Sequence, residues 1–116
     1  MIGGNETEMN DELGKSRREI NDLIYESQIL RTIKGQEALI KYNQLLFKIN
    51  EKQINFCCRL SLIGSDSCIQ ELDEISYTLE QYMNKPLDQS PLDYYLVIKK
   101  QLKNKLTKLT GCKWRD

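Results

Sequence analysis

Between positions 39 and 63 the apolar side chains Leu39, Tyr42, Leu46, Ile49, Phe56, Leu60 and Ile63 recur in alternating steps of three and four, with Gln53 as one polar interruption. That spacing is the a/d seam of a helix whose apolar face has to be covered by another helix. No proline falls between Ser16 and Pro86, so no residue in this region lacks the backbone N–H a helix needs. Gly64 suits the left-handed position that closes a helix. The expected helix, residues 36–63, would be about 42 Å long at about 1.5 Å per residue.

Similar patterns flank it. Ile20, Leu23, Ile24, Ser27, Leu30 and Ile33 line one face of a helix over 16–34, opening near Ser16 with Glu19 placed for a capping box. This stripe is out of phase with the seam, so a bend or a break is expected at Gly35. Downstream, Ser65-Asp66-Ser67 offers N-caps, Ser67 and Gln70 stand in capping-box relation, and Cys68, Leu72, Ile75, Leu79 and Tyr82 mark a helix over 67–83. The loop that follows holds both prolines. Ser90 as N-cap, Pro91 at the first helical position and Asp93 two residues on open a last helix, 91–110, which stops at Gly111. Residues 1–15, with Gly3, Gly4 and Gly14, read as a disordered acidic tail, and 111–116 as a short C-terminal tail. No strand-like alternation competes, so the expected fold class is all-α: an elongated antiparallel helical bundle or coiled coil with one long helix and two shorter ones.

Composition narrows the chemistry. The 116 residues make one small domain, with 17 Lys+Arg against 17 Asp+Glu and no histidine. Neutrality argues against binding driven by counterion release or by a polybasic membrane contact. Without histidine there is no Ser–His or Cys–His nucleophile pair and no imidazole zinc ligand. The adjacent Cys57 and Cys58 point about 100° apart on a helix, which does not fit a zinc site. Reduced thiols are the expectation for all four cysteines, and small buried hydrophobes for Cys57, Cys58 and Cys68. Asp73/Glu74 and Asp11/Glu12 are neighbours that diverge on a helix, and Gly3-Gly4 lacks the Gly-Lys-Ser/Thr of a phosphate loop. The expectation is a non-enzyme with no catalytic residue, cofactor, metal or small-molecule substrate.

Charge is segregated along the chain. Residues 1–37 hold 5 basic and 8 acidic side chains, 38–64 hold 4 and 1, 65–91 hold 1 and 6, and 92–116 hold 7 and 2. Antiparallel neighbours would then bring opposite signs together, with the basic last helix expected on the acidic helix 67–83. Lys99, Lys100 and Lys103 are the candidate contacts for phosphate or for a partner. Base readout favours Arg, Asn and Gln, so nucleic acid is disfavoured. Trp114 either folds back onto the bundle or anchors a partner.

Helix 36–63 exceeds helix 67–83 by about eleven residues, about 16 Å. Part of its seam is therefore expected to lack a partner within the chain and to take other small helical subunits of a hetero-oligomer. Glu26-Ser27-Gln28 followed by Leu30, the run Ile49-Asn50-Glu51-Lys52-Gln53, and Asn21-Asp22-Leu23 resemble stretches of snapin-like small coiled-coil subunits of the lysosome-related-organelle biogenesis complex. The resemblance covers residues 20–55. It implies a non-catalytic subunit acting in endosomal or vacuolar protein transport. The first twenty residues carry no secretory h-region and no apolar run reaches bilayer length, so an intracellular chain without membrane insertion is expected, cytoplasmic and endosome-associated before nuclear. A nuclear assembly of kinetochore or transcription-mediator type, and a nucleic-acid module using the last helix, are the alternatives.

Overall fold

Stretches of helical spacing, divided by residues that accept positive φ, produce the helices α1 (Ile2–Leu30), α2 (Gln36–Ile63), α3 (Asp66–Met83) and α4 (Pro91–Thr110). The computed structural model describes residues 2–112, with side chains over 11–112. The fold is all-α, without a strand among the described residues. Its principal extents are 52 × 30 × 26 Å.

The expected stops are where the glycines are. Gly64 (φ 64°) and Gly111 (φ 72°) take the left-handed conformation and donate their N–H to Leu60 and Thr107 carbonyls. Ser90 accepts from the Asp93 N–H at 3.1 Å, with Pro91 opening α4. At α3 the cap is Ser65, one of the offered residues, whose hydroxyl accepts from the Cys68 N–H. Ser67 instead lies beside that hydroxyl at 3.2 Å, so the Ser67–Gln70 capping box is replaced. Gly35 breaks the chain rather than bending it. Its φ of 115° and ψ of 160° belong to a region open essentially to glycine, and α1 has already ended at Leu30.

α1 departs from expectation at its start as well. Residues 2–15 are helical rather than a disordered tail, and Leu13 is buried in the core. Leu13, Ile20 and Ile24 share one face at steps of seven and four, so docking against α2 carries the helix past Gly14, which would weaken it in isolation. The bundle therefore has two long helices.

α2 is the central element. α1 runs antiparallel to it, since Glu19 pairs with Lys52 at 3.1 Å while the earlier Ser16 meets the later Arg59. Around the C-terminal half of α2, Leu13, Ile20, Phe56, Leu60 and Cys68 form one core, with Ile24, Ile63, Leu72 and Ile75 against it. Around the N-terminal half, Phe47, Leu102 and Leu106 form a second, with Leu46 and Ile98 against it. α4 thus lies along α2, and the excess length of α2 over α3 is largely filled.

This corrects the charge expectation too. α2 and α4, both richer in base than acid, pack together as the main α4 contact, with Lys99 reaching Glu51 of α2 at 3.8 Å, while α3 and α4 touch only slightly. Burying a leucine such as Leu102 or Leu106 is worth about 1.5–3 kcal/mol, against about 0.2–1 for an exposed ion pair, so apolar contact chose the neighbour.

Candidate interaction surface

The residues of the sequence-derived seam separate along α2. Ile49, Phe56 and Leu60 are buried and Tyr42, Leu46 and Ile63 half-buried, whereas Leu39, nearest the helix start, remains 40% exposed. Most of the seam is spent inside the chain on α1, α3 and α4. Only its first turn stays open.

A second row on α2, Asn43, Phe47, Asn50, Ile54 and Cys57, also steps by four and three. All but the half-buried Ile54 are buried. Asparagines at two of its five places hid the pattern from a count of apolar residues. Asn43 and Asn50 satisfy their amide N–H groups locally, donating to the Leu39 and Leu46 carbonyls at 2.8 Å. The Asn43 Oδ1, fully buried, has no hydrogen-bond partner among the described residues.

Cations cover both buried phenylalanines. Arg17 stands 5.5 Å from the centre of the Phe56 ring and forks both carboxylate oxygens of Glu71, joining α1, α2 and α3. The hydrogen bond and the charge of Glu71 hold the Arg17 guanidinium above its usual range against the opposing effect of burial. Lys99 stands 5.5 Å from the Phe47 ring. Glu19 is held below the usual carboxylate range by its hydrogen bond to Lys52. Burial pushes the Cys57 thiol up to about 11 and raises the Tyr95 phenol. Such a thiol is a poor nucleophile and metal ligand. The described cysteines are free, and no group of three or more Cys, Asp or Glu among the described residues is placed to hold a metal.

Apolar side chains are exposed along the end of α1, the connection after it and the start of α2. Tyr25 (67% exposed) and Ile29 (50%) lie four residues apart on one face of α1, Ile33 (54%) lies in the connection, and Leu39 opens α2. Leu30, Ile33 and Ala38 line a shallow concavity there with Lys34, Glu37 and Lys41. Its charged lining, Lys34, Glu37 and Lys41, is net basic, with Lys41 paired to Glu37 at 3.4 Å, and the exposed Arg31 precedes it in the connection. An apolar centre inside a charged rim is the anatomy of a protein interface.

The α4 lysines are divided in use. Lys99 is turned onto Phe47 and Glu51, Lys100 is exposed, and Lys103 is half-buried in a groove shared with Leu96 and Asn104. Trp114 lies outside the described residues. No helix is long and apolar enough to cross a membrane, among the residues described. In comparisons with known proteins, no family model, no curated protein and no solved structure matches the chain.

Proposed function

We propose that the chain is a non-catalytic, coiled-coil subunit of a hetero-oligomeric complex that joins its partners through the α1–α2 corner. One observation carries this reading: Ile33 and Leu39 are exposed around the α1–α2 connection, where Leu30, Ile33 and Ala38 line a shallow concavity, with Tyr25 and Ile29 exposed on the end of α1 that leads into it. The antiparallel course of α1 along α2 supports the elongated bundle expected from the sequence. The fitting partner is another small helical protein, its apolar stripe completing the corner and its acidic flanks meeting Arg31, Lys34 and Lys41. Absence of histidine and a thiol kept protonated by burial support a non-catalytic role.

The resemblance to snapin-like subunits supports endosomal or vacuolar traffic as the setting. A tagged chain on endosomal membranes agrees with that, and a nuclear signal favours the nuclear-assembly alternative. Function itself is tested by affinity capture with Ile29→Asp plus Ile33→Asp. Substituting the seam residue Ile49, which is buried, would unfold the chain instead of reporting on a surface. The corner variant should keep its unfolding midpoint and lose its partners, while Leu62→Asp, at the other end of α2, keeps them. An unchanged set of captured proteins overturns the reading.

A further inference from the structure

α3 and α4 are oppositely charged helices, each with an outward face that the fold does not use. α3 carries Asp66, Glu71, Asp73, Glu74 and Glu80 and no Lys or Arg, whereas α4 carries Lys99, Lys100, Lys103, Lys105 and Lys108 against Asp93. α3 buries Cys68 and Leu79, and α4 buries Leu102 and Leu106. At about 100° per residue the opposite faces hold Asp66, Gln70, Asp73, Glu74 and Tyr77 on α3, and Asp93 in the first turn followed by Val97, Lys100, Asn104 and Lys108 on α4. All ten are exposed.

The internal work of these helices is done by other side chains. Glu71 is forked by Arg17, Glu80 accepts the Leu87 N–H, and Lys99 pairs with Glu51. Among the described residues, the carboxylates of Asp73 and Glu74 and the ammonium groups of Lys100 and Lys108 take part in no ion pair. Each face also has an apolar element beside its charges, Tyr77 on α3 and Leu96 with Val97 on α4. Tyr77 lines a shallow depression with Gln70, Asp73 and Glu74, and Leu96 lines one with Lys100 and Asn104. Both depressions span about two helical turns, about 12 Å.

We propose that these faces bind one another between copies of this chain, the acidic face of α3 in one molecule packing on the basic face of α4 in the next. Within a molecule α3 and α4 touch only slightly, and Leu102 and Leu106 hold α4 on Phe47 of α2, so the outward face of α4 is turned away from the core. A nucleic acid or an anionic membrane would engage α4 alone and leave the acidic face idle, whereas a second copy satisfies both. In a two-fold pair the contact forms twice. Each exposed pair contributes little and is screened by salt, so self-association is weak and salt-sensitive. It involves different residues from the α1–α2 corner and stands or falls separately from the proposed function.

The test is the light-scattering mass of the full chain against concentration, at about 0.05 M and about 1 M salt. The expected mass climbs toward that of two chains at low salt and returns to one chain at high salt, a measurement that needs no variant. Lys100→Glu with Lys108→Glu, and separately Asp73→Lys with Glu74→Lys, should each weaken self-association at least about tenfold. Mixing the two variants should restore it, because each then presents the faces the other lacks. Circular dichroism checks that both retain their helices. A wild-type chain that stays single at low salt overturns the proposal, including one that binds anionic vesicles or duplex DNA while single. So does a mass that salt leaves unmoved, or a mixture of variants that stays single.

Discussion

The C-terminal half of α2 is enclosed by α1 and α3 around Leu13, Ile20, Phe56, Leu60 and Cys68, whereas its N-terminal half meets α4 through Phe47, Leu102 and Leu106, with Asn43 and Asn50 buried on the same helix. Both halves cover a phenylalanine with a cation. In the first, Arg17 also forks Glu71 and ties three helices; in the second, Lys99 holds a single Glu51 oxygen at 3.8 Å. The apolar end supplies cohesion. The end containing the asparagines gives up some stability and borders the corner that stays open to another chain.

The largest expected effect that separates the halves is in core truncation. Leu60→Ala should cost about 3–5 kcal/mol and Leu106→Ala about 2–3, because a site between two helices collapses more readily than one among three. Both leucines are fully buried, so equal losses in urea unfolding would remove the distinction. Next comes the unpartnered Asn43 oxygen. Asn43→Leu should raise stability by about 1 kcal/mol, and a lower urea midpoint would contradict the cost assigned to that acceptor.

Removing the covering cations should differ by less. Arg17→Met is expected to lose about 1 kcal/mol and Lys99→Met about 0.5 kcal/mol or less, both discounted for solvent screening. The reverse order would place the stronger clasp at the α4 end. The smallest effect at neutral pH concerns Cys57, whose thiol burial raises to about 11 from 9.0. A folded-state value above the unfolded one favours folding fully below the unfolded value, and the benefit is lost as pH rises through the folded value. Stability should therefore fall above about pH 9, with Tyr95 adding in the same direction, and Cys57→Ala should flatten part of that slope.

Much of the helix pattern was legible because it rests on local chemistry. Gly64, Gly111 and the Ser90-Pro91 start act within one turn and fix the ends of α2 and α4. Non-local choices were harder to read. Leu13 reads as part of a tail because the α2 and α3 residues of its core cluster, Phe56, Leu60 and Cys68, are far away in sequence. Asn43 and Asn50 mask the Phe47 row, and charge points α4 toward α3 where leucine burial sends it mainly to α2. Of the seam, the residues whose neighbours lie within the chain turned out to be core. Leu39 alone kept the exposure expected of a partner contact, joined by Tyr25, Ile29 and Ile33.

Hydrogen exchange of the chain, alone and with its captured partner at the same chain concentration, tests the open corner most directly. Slowed exchange over residues 25–42, with the Phe56–Leu60 region unchanged, is the expected result. Protection confined to α3 and α4, or none over residues 25–42, would contradict it.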